Sequence, residues 1–377
     1  MNHVALLIPG LDRIGGAERQ LMLLAKGLRG RGWRVSVVAL SGTGGDAAAE
    51  LAGAGIAFLS LEMHKGLADP RGWLRFHRWL KQEKPGVVHA HLPHAAWMAR
   101  WSRLATPVRV VVDTLHSSST GTGVRRMGYR LSDWLSNEVT AVSHAVAAAH
   151  LAAEMAAKIT VIPNGVDMDA WRPDAAARAA VRGELAIENE FLWFAAGRLE
   201  PVKDYPTLLA AMAQLPSTAR LVIAGTGPLE EQLRGLASQL CLQSRVRFLG
   251  FEQDVRRWMQ AADGFVLSSR WEGLPMALLE AAACALPAVA TDVPGTREVI
   301  VHGGTGWLAA QGDPRALAEA MTRLMHTSLD GRKTIGEQAR QRAFDSFSLE
   351  LALTRWEALY SDLLQRNRRP SRRAQMR

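Results

Sequence analysis

Short runs of β-branched and other apolar residues alternate with helical patterns along the whole 377-residue chain, and this alternation limits the possible folds most. Strands that alternate with helices are typical of βαβ units, in which the strands pair in parallel. Five strands are predicted in the first half: Val4–Ile8, Val35–Leu40, Ile56–Leu61, Val87–His91 and Val108–Asp113. Helices such as Ala17–Arg29 and Arg71–Lys84 lie between them. The sequence therefore predicts an α/β fold built on a parallel sheet.

The alternation begins again after residue 190, which indicates a second domain. Its predicted strands are Phe191–Ala196, Leu221–Ala224, Val246–Leu249, Phe265–Ser268 and Ala288–Thr291. A Pro163-Asn164-Gly165 turn signal separates the two series, and the chain length fits two domains of about 150 to 200 residues. We expect two doubly wound domains, a helix that packs back towards the first domain, and a disordered basic tail. The expected boundaries are 1–168, 169–350, 351–365 and 366–377.

The net charge of +9 is distributed unevenly along the chain. Residues 1–168 carry 19 basic and 12 acidic side chains, residues 169–365 carry 20 and 24, and the last twelve residues carry six arginines and no acid. Within the first part, residues 64–130 have 12 basic side chains and three acids. Such an excess favours a polyanionic partner: nucleic acid, a sugar nucleotide or an anionic membrane surface.

The sequence carries no recognisable signal for secretion, a disulfide framework or a membrane span. Cys241 and Cys284 stand in apolar settings, which predicts two buried thiols in a reducing compartment. The N-terminal apolar run is short and lacks a charged segment before it, so we interpret it as a β-strand. No stretch approaches the ~18 uninterrupted apolar residues of a membrane helix. We expect a cytoplasmic protein whose contact with a membrane is peripheral.

A nonapeptide with a carboxylate at each end, Glu272-Gly-Leu-Pro-Met-Ala-Leu-Leu-Glu280, follows a predicted strand. Pro275 suits the first position of a helix, where its missing N–H costs nothing. Three amides of that first turn would then be free to bind an anion: those of Met276, Ala277 and Leu278. Ionised carboxylates only accept hydrogen bonds, so Glu272 and Glu280 suit the recognition of sugar hydroxyls. An amphipathic helix with solvated acids is the alternative.

Two further loops follow predicted strands. In Gly197-Arg198-Leu-Glu-Pro-Val-Lys203 the two cations could clamp a diphosphate, or they could be ordinary surface charges. Gly15-Gly16 lets the backbone approach a ligand closely, but the third glycine of a dinucleotide fingerprint is missing and a plain turn is the alternative.

Together these motifs resemble those of family 4 glycosyltransferases of the GT-B fold, and the similarity spans nearly the whole chain. The matching segments are GGAER (15–19), AVSHA (141–145), VIPNGVD (161–167), GRLEPVKD (197–204), AGTGPLEEQL (224–233), FLGF (248–251), EGLPMALLE (272–280) and DVPGTREVI (292–300). The resemblance implies two Rossmann-like domains facing a central cleft. It also implies that the second domain holds most of a nucleotide-sugar donor and the first holds the acceptor.

The resemblance further implies roles for single residues of the second domain. Arg198 and Lys203 would bind the donor diphosphate, Glu280 the ribose hydroxyls and Glu272 the donor sugar. The backbone near Phe251 would lie beside the base. The remaining donor-binding residues expected there are Gly273, Leu274, Pro275, Met276 and Ala277.

Two residues of the first domain match the family as well. Gly16 would approach the diphosphate from the opposite domain. His116 matches a histidine that the family often directs at the donor sugar, and we place it with Glu272 as a catalytic residue. A purely structural histidine is the alternative.

Two patterns that look like metal sites are interpreted otherwise. His89-Ala-His91-Leu-Pro-His94 would need alternate residues of a strand end to converge on one ion, and they do so poorly. Asp167-Met-Asp169 falls in the turn between the domains. Because Arg198 and Lys203 could stabilise a departing diphosphate, no metal and no cofactor is expected.

Residues 64–130 interleave cations with aromatic residues, a combination that favours the headgroup region of an anionic membrane. The set consists of Arg71, Trp73, Arg75, Phe76, Arg78, Trp79, Trp97, Arg100, Trp101, Arg103, Arg125, Arg126, Tyr129 and Arg130. The alternative is that the aromatic residues belong to the core and the cations are solvated. The Arg-rich tail could add to the membrane affinity.

These observations lead to one main prediction and two alternatives. We predict a retaining glycosyltransferase, peripheral to the inner face of the cytoplasmic membrane, that moves a sugar from a UDP-sugar to a lipid-diphosphate-linked acceptor of surface-polysaccharide synthesis. The first alternative is a GT-B enzyme with a soluble acceptor. The second is a nucleic-acid-binding protein, which the charge permits but no recognition module supports.

Overall fold

A computed structural model describes residues 2–64, 69–119 and 123–367, and the chain divides into two compact units. Unit 1 comprises Met1–Gly165 together with Leu349–Arg377, and unit 2 comprises Val166–Ser348. Each unit contains a parallel sheet interleaved with helices, so the predicted α/β class is confirmed.

Unit 1 is built on seven parallel strands. They are β1 (His3–Ile8), β2 (Arg34–Ala39), β3 (Ala57–Ser60), β4 (Val87–His91), β5 (Val110–Leu115), β6 (Glu138–Ala141) and β7 (Thr160–Val161). The helices between them are α1 (Gly16–Gly30), α2 (Gly45–Gly53), α3 (Pro70–Glu83), α4 (Pro93–Ala105), α5 (Gly123–Leu131) and α6 (His144–Ala152). The strand order is β3-β2-β1-β4-β5-β6-β7. The direction of winding therefore reverses between β1 and β4, the place where ligands bind in such sheets.

Unit 2 is built on six parallel strands. They are β8 (Phe191–Ala196), β9 (Ala219–Ala224), β10 (Val246–Gly250), β11 (Gly264–Leu267), β12 (Ala288–Thr291) and β13 (Gly306–Ala309). Its helices are α7 (Ala175–Glu184), α8 (Tyr205–Gln214), α9 (Glu230–Gln239), α10 (Val255–Ala261), α11 (Met276–Ala283), α12 (Pro294–Val299), α13 (Pro314–His326) and α14 (Leu329–Phe347). The order is β10-β9-β8-β11-β12-β13, with the reversal between β8 and β11.

The last helix among the described residues is α15 (Leu349–Arg366), which packs on α1 within unit 1. A Cβ added to Gly27 of α1 would lie 2.4 Å from Cδ1 of Leu353 in α15, so the contact between the two helices leaves no room for a side chain at position 27. Residues 368–377 lie outside the described residues, so the predicted disorder of the basic tail stays a prediction.

The cores follow from the apolar strands. All six residues of β1 and all six of β8 are buried, as expected for central parallel strands covered on both faces. One sequence prediction about burial was wrong: Cys284 is buried but Cys241 is exposed. Cys241 has φ +55° in the turn after α9, where the chain leaves the helix.

Within the described parts of the chain, no helix combines the length and the apolar character needed to cross a bilayer.

Candidate active site

The loops that follow β8 and β11 meet at the reversal point of the unit 2 sheet. Both strands point the same way, so their carboxyl ends lie at one edge. The N–H of Arg270 donates to the carbonyl of Val202 at 2.8 Å, and Oγ of Ser268 donates to the carbonyl of Lys203 at the same distance. These two bonds fix the Arg198–Lys203 segment against the segment that carries Glu272.

An ion pair joins the two loops. Nζ of Lys203 donates to Oε1 of Glu272 at 2.6 Å, and Oγ of Ser269 donates to the same oxygen at 2.5 Å. The Lys203 side chain is 21% exposed and that of Glu272 is 10% exposed, so the pair is partly shielded from water. Since both bonds use Oε1, the other carboxylate oxygen keeps its lone pairs for a hydroxyl donor.

Glycines allow this close approach of loops. A Cβ on Gly295, at the start of α12, would lie 2.5 Å from the carbonyl oxygen of Glu272. A Cβ on Gly197 would lie 3.4 Å from Cε of Lys203 and 3.3 Å from the hydroxyl of Tyr205. Burial and the charge of Glu272 raise the pKa of Tyr205, so its hydroxyl keeps its proton. That hydroxyl donates to the carbonyl of Gly197 at 3.2 Å. The Lys203–Glu272 pair therefore sits in a tightly packed setting.

The helix after Glu272 begins one residue later than predicted. Pro275 has φ −74° and ψ 105° and precedes the first helical residue, Met276. The prediction that the amide of Leu278 is free was wrong, because it donates to the carbonyl of Pro275 at 3.1 Å. The amides of Met276 and Ala277 belong to the first turn, where a helix offers no acceptor of its own. These two remain the candidates for binding an anion.

The other predicted donor-binding residues of unit 2 differ in exposure. Glu280 is buried in α11, while Gly273 and Leu274 are buried in the loop before it. The side chain of Arg198 is 71% exposed and pairs with Glu200 at 2.9 Å. Phe251, just after β10, is 79% exposed. Thus the exposed cation Arg198 precedes Lys203 in its loop, and the buried carboxylate Glu280 follows Glu272 in α11.

In unit 1, Gly16 opens α1 directly after the loop that follows β1. The N–H of Gly15 donates to Oε2 of Glu18 at 3.0 Å, so that amide is engaged by the chain itself. A Cβ on Gly15 would lie 2.9 Å from the same oxygen. The side chain of Glu18 thus packs against Gly15 and holds the loop before α1.

His116 follows β5 and lies half-buried beside two buried histidines, His89 and His91. Nδ1 of His91, the last residue of β4, lies 2.9 Å from Nε2 of His116. The ring of His91 lies 4.1 Å from that of His89, measured between centroids. Desolvation lowers the pKa of His116 to about 4 and places the pKa values of His89 and His91 well below their usual range. All three rings are therefore neutral at pH 7.

These histidines predict that unit 1 loses stability in mild acid. Below about pH 6.5 the unfolded chain binds protons on all three rings, whereas the native rings stay neutral until a lower pH, about 4 for His116. The free energy of unfolding should therefore decrease on acidification through this window, by up to about 1.4 kcal/mol per pH unit for each ring. Calorimetric unfolding between pH 7.5 and 5 measures it. A midpoint that rises on acidification would contradict the assignment of neutral rings.

Among the described residues, no group of three or more histidine, cysteine or acidic side chains is placed to hold a metal ion. Asp167 serves a local turn: its Oδ1 accepts from the amides of Asp169 and Ala170, each at 3.0 Å.

The cation–aromatic set of residues 64–130 divides into buried and exposed members. Phe76, Arg100 and Tyr129 are buried, so the prediction that they face a membrane was wrong. Arg100 instead pairs with Asp113 at 2.6 Å and lies 4.1 Å from the centre of the Tyr129 ring. The side chain of Arg125 lies outside the described part of the structure.

Large apolar side chains are nevertheless exposed on neighbouring elements of unit 1. They are Leu74 on α3, Trp101 and Leu104 on α4, Met127 and Leu131 on α5, and Trp134 in the 3-10 turn Asp133–Leu135. We call these six residues the apolar face. Helix α5 contacts α4 closely, since a Cβ on Gly128 would lie 2.0 Å from Cζ2 of Trp97. Arg126 and Arg130, both exposed, alternate with the apolar residues of α5.

Sequence reasoning did not assign the residues that hold the Glu272 loop. Oγ1 of Thr291 donates to the carbonyl of Ser269 at 2.5 Å, and Oγ1 of Thr296 donates to the carbonyl of Thr291 at 2.6 Å. With Ser269 and Gly295 they form the support of the carboxylate. The only sequence signal for them was DVPGTREVI, the segment that contains Gly295 and Thr296.

Comparison with family models divides the chain in the same two parts. Residues 14–170 match the model described as Glycosyltransferase Family 4, and residues 178–342 match that of Glycosyl transferases group 1.

Two characterised relatives are similar over most of their length. N-acetyl-alpha-D-glucosaminyl L-malate synthase of Bacillus anthracis is 28% identical over 301 residues, 75% of this chain and 76% of the relative. The UDP-Gal:alpha-D-GlcNAc-diphosphoundecaprenol alpha-1,3-galactosyltransferase of Escherichia coli is 25% identical over 321 residues, 79% of this chain and 81% of the relative.

Solved structures share the fold over nearly the entire chain. HepE of Anabaena, in complex with UDP, superposes with a TM-score of 0.83 at 23% identity, covering 96% of this chain and all of HepE. Sucrose-phosphate synthase from Thermosynechococcus elongatus gives a TM-score of 0.86 at 21% identity, covering 97% of this chain and all of that one.

Proposed function

The chain belongs to glycosyltransferase family 4 and is a glycosyltransferase of the GT-B fold, and from that premise we propose its donor, acceptor and chemistry. It transfers a sugar from a UDP-sugar, with retention of configuration, to a lipid-diphosphate-linked acceptor of cell-surface polysaccharide synthesis. The observation that carries this proposal is the Lys203–Glu272 pair at the reversal point of the unit 2 sheet.

The proposed donor site uses groups of both signs. Lys203 and Arg198 offset the charge of the diphosphate, and the amides of Met276 and Ala277 donate to its oxygens. Gly16 lets the backbone of unit 1 approach the same group. With this positive charge supplied by side chains and amides, the departing diphosphate needs no metal ion.

The proposed sugar site complements hydroxyl groups. Glu272 accepts a hydrogen bond from a sugar hydroxyl through the oxygen that Lys203 and Ser269 do not use, and His116 orients the sugar. Glu280 accepts from the ribose, and the base lies beside the backbone near Phe251.

In the proposed reaction the bond from the anomeric carbon to the diphosphate breaks while the acceptor hydroxyl oxygen bonds to that carbon on the same face. The departing diphosphate takes the hydroxyl proton.

UDP is the proposed nucleotide because the E. coli relative uses UDP-galactose and HepE binds UDP. A thermal-shift series with UDP-, GDP- and ADP-sugars tests this, since a bound donor stabilises the fold by mass action. We expect the unfolding midpoint to rise with a UDP-sugar and with UDP alone. A rise restricted to GDP- or ADP-sugars would contradict the nucleotide assignment.

The acceptor proposal distinguishes two kinds of relative. The E. coli enzyme acts on a diphosphoundecaprenol-linked sugar, whereas the B. anthracis enzyme is an N-acetyl-alpha-D-glucosaminyl L-malate synthase and motivates the alternative of a soluble acceptor. The apolar face of unit 1, together with the exposed Arg126 and Arg130 on α5, favours the lipid-linked acceptor. We propose that this face docks the enzyme on the inner face of the cytoplasmic membrane.

Docking predicts a specific loss of membrane affinity. A Leu131→Gln/Trp134→Gln variant removes two side chains that are 64% and 70% exposed, and burial of each is worth about 1.5–3 kcal/mol. We expect binding to vesicles rich in anionic lipid to fall by at least about tenfold. Co-sedimentation measures it. The matched control is Leu329→Gln in unit 2, where the leucine is 75% exposed. Equal binding of wild type, variant and control would contradict docking and favour the soluble acceptor.

A further inference from the structure

The direction of the hydrogen bonds around His89 is determined by their partners. Oγ1 of Thr140 donates to the carbonyl of Asp113 at 2.9 Å, so in its 2.7 Å bond to Thr114 it must accept. Thr114 therefore uses its own proton on Thr140 and accepts from Nε2 of His89 at 2.6 Å. Nδ1 of His89 is left to accept from the hydroxyl of Tyr360, also at 2.6 Å. His89 is fully satisfied: it donates from Nε2 and accepts at Nδ1, so neither of its nitrogens is left for His91.

His91 is satisfied on one side only. Its Nδ1 lies 2.9 Å from Nε2 of His116, but its Nε2 is buried without a hydrogen-bond partner among the described residues. Only one of the two facing nitrogens, Nδ1 of His91 or Nε2 of His116, carries a proton when both rings are neutral. The unpaired atom decides which. If His91 carried its proton on Nε2, a buried N–H would have no acceptor, and such orphaned donors are rare in proteins.

We infer that His91 is a positioning residue that donates from Nδ1 to Nε2 of His116 and so fixes the proton of His116 on Nδ1. Neutral histidine carries one ring proton, so His116 then offers an N–H donor and no free lone pair to a ligand. The role towards the sugar rests on the proposed function, whereas the tautomer rests on the contacts alone.

With this tautomer, the two proposed contacts to the sugar are hydrogen bonds of opposite direction. Glu272 accepts from one hydroxyl, and His116 donates to an oxygen that accepts. His116 in this state cannot take the proton of the acceptor hydroxyl, which agrees with the proposal that the departing diphosphate takes it. By fixing the proton of His116, His91 thus favours a donor whose sugar has a hydrogen-bond acceptor at the position that His116 contacts.

The tautomer can be measured without any assay of transfer. Heteronuclear NMR of the full chain, labelled at histidine, distinguishes protonated from unprotonated ring nitrogens, and loss of signal in His116→Gln assigns the resonance. We expect His116 to be protonated at Nδ1 and unprotonated at Nε2 at neutral pH. A proton on Nε2 of His116 overturns the inference. This result is decisive even if no nucleotide sugar is turned over, so failure of the proposed function is distinguishable from failure of the inference.

Two substitutions of His91 test its effect on catalysis. His91→Asn keeps an N–H donor near the position of Nδ1, whereas His91→Leu removes it at similar bulk. We expect kcat/KM to fall about 10- to 100-fold in His91→Leu, the usual cost of losing an orienting partner, with His91→Asn restoring most of it. Affinity for UDP alone should stay unchanged in both, because the proposed site places His116 against the sugar and not against the nucleotide. A folded His91→Leu with wild-type kcat/KM, or a folded His91→Asn no better than His91→Leu, overturns the inference.

Discussion

Replacing Glu272 with alanine should reduce kcat by about 10²–10³-fold while leaving the fold intact. The substitution removes the carboxylate oxygen proposed to bind the sugar, and it leaves Lys203 without the partner 2.6 Å away. Binding of UDP should change little, because Lys203 remains to contact the diphosphate. Steady-state transfer and calorimetric titration with UDP measure the two effects separately.

The matched control is Glu319→Ala, which removes a carboxylate that is 69% exposed and paired with Arg315 on the surface. It should keep wild-type turnover. A double-mutant cycle of Glu272→Gln and Lys203→Met adds a second criterion, because groups in contact show non-additive effects. A folded Glu272→Ala variant with wild-type turnover would remove the central residue from the proposal.

Breaking the buried pair of Arg100 and Asp113 should destabilise unit 1 by about 3–5 kcal/mol. Both side chains are fully buried, and Arg100 also donates to the carbonyl of Tyr129 at 3.0 Å. In Asp113→Leu the guanidinium stays buried and keeps only the partly exposed carboxylate of Asp133, 3.7 Å away, as a counter-charge. The expected result is a large downward shift of the unfolding transition of unit 1 in calorimetry.

Removing both charges should cost much less. Nη2 of Arg100 and Oδ1 of Asp113 have no hydrogen-bond partner among the described residues, so the pair is incompletely satisfied. The variant Arg100→Met/Asp113→Leu should therefore recover most of the lost stability. Arg315→Met, in the exposed pair with Glu319, is the control and should shift stability by less than about 1 kcal/mol. Equal destabilisation in the single and double variants would show that packing, not charge, dominates at this position.

The positions of most strands along the chain could be predicted because they depend on local patterns. All ten predicted strands are present, and those at Val87–His91, Phe191–Ala196 and Ala288–Thr291 have the predicted bounds. Three strands were missed: Glu138–Ala141, Thr160–Val161 and Gly306–Ala309. Each has at most four residues, but length alone does not explain the misses, because the predicted strands Ala57–Ser60, Gly264–Leu267 and Ala288–Thr291 are equally short.

Contacts between segments that are distant in the chain could not be predicted from the sequence. Arg100 and Tyr129 look like two members of a basic aromatic surface, and only folding shows that Asp113 draws the arginine into the core. The bond between His91 and His116 likewise joins residues 25 positions apart on neighbouring strand ends. The His89-x-His91 pattern gave only a metal hypothesis, because a linear pattern does not tell which nitrogen faces which partner.

The proposed reaction moves a sugar from a UDP-sugar to a lipid-diphosphate-linked acceptor with retention of configuration. Its most direct test is to incubate the purified protein with UDP-sugars and a GlcNAc-diphosphate lipid in anionic vesicles. Product is then identified by mass spectrometry, and its anomeric configuration by NMR. We expect one added sugar residue per UDP released, with the anomeric configuration of the donor preserved. An inverted linkage, or transfer only to soluble acceptors, would contradict it.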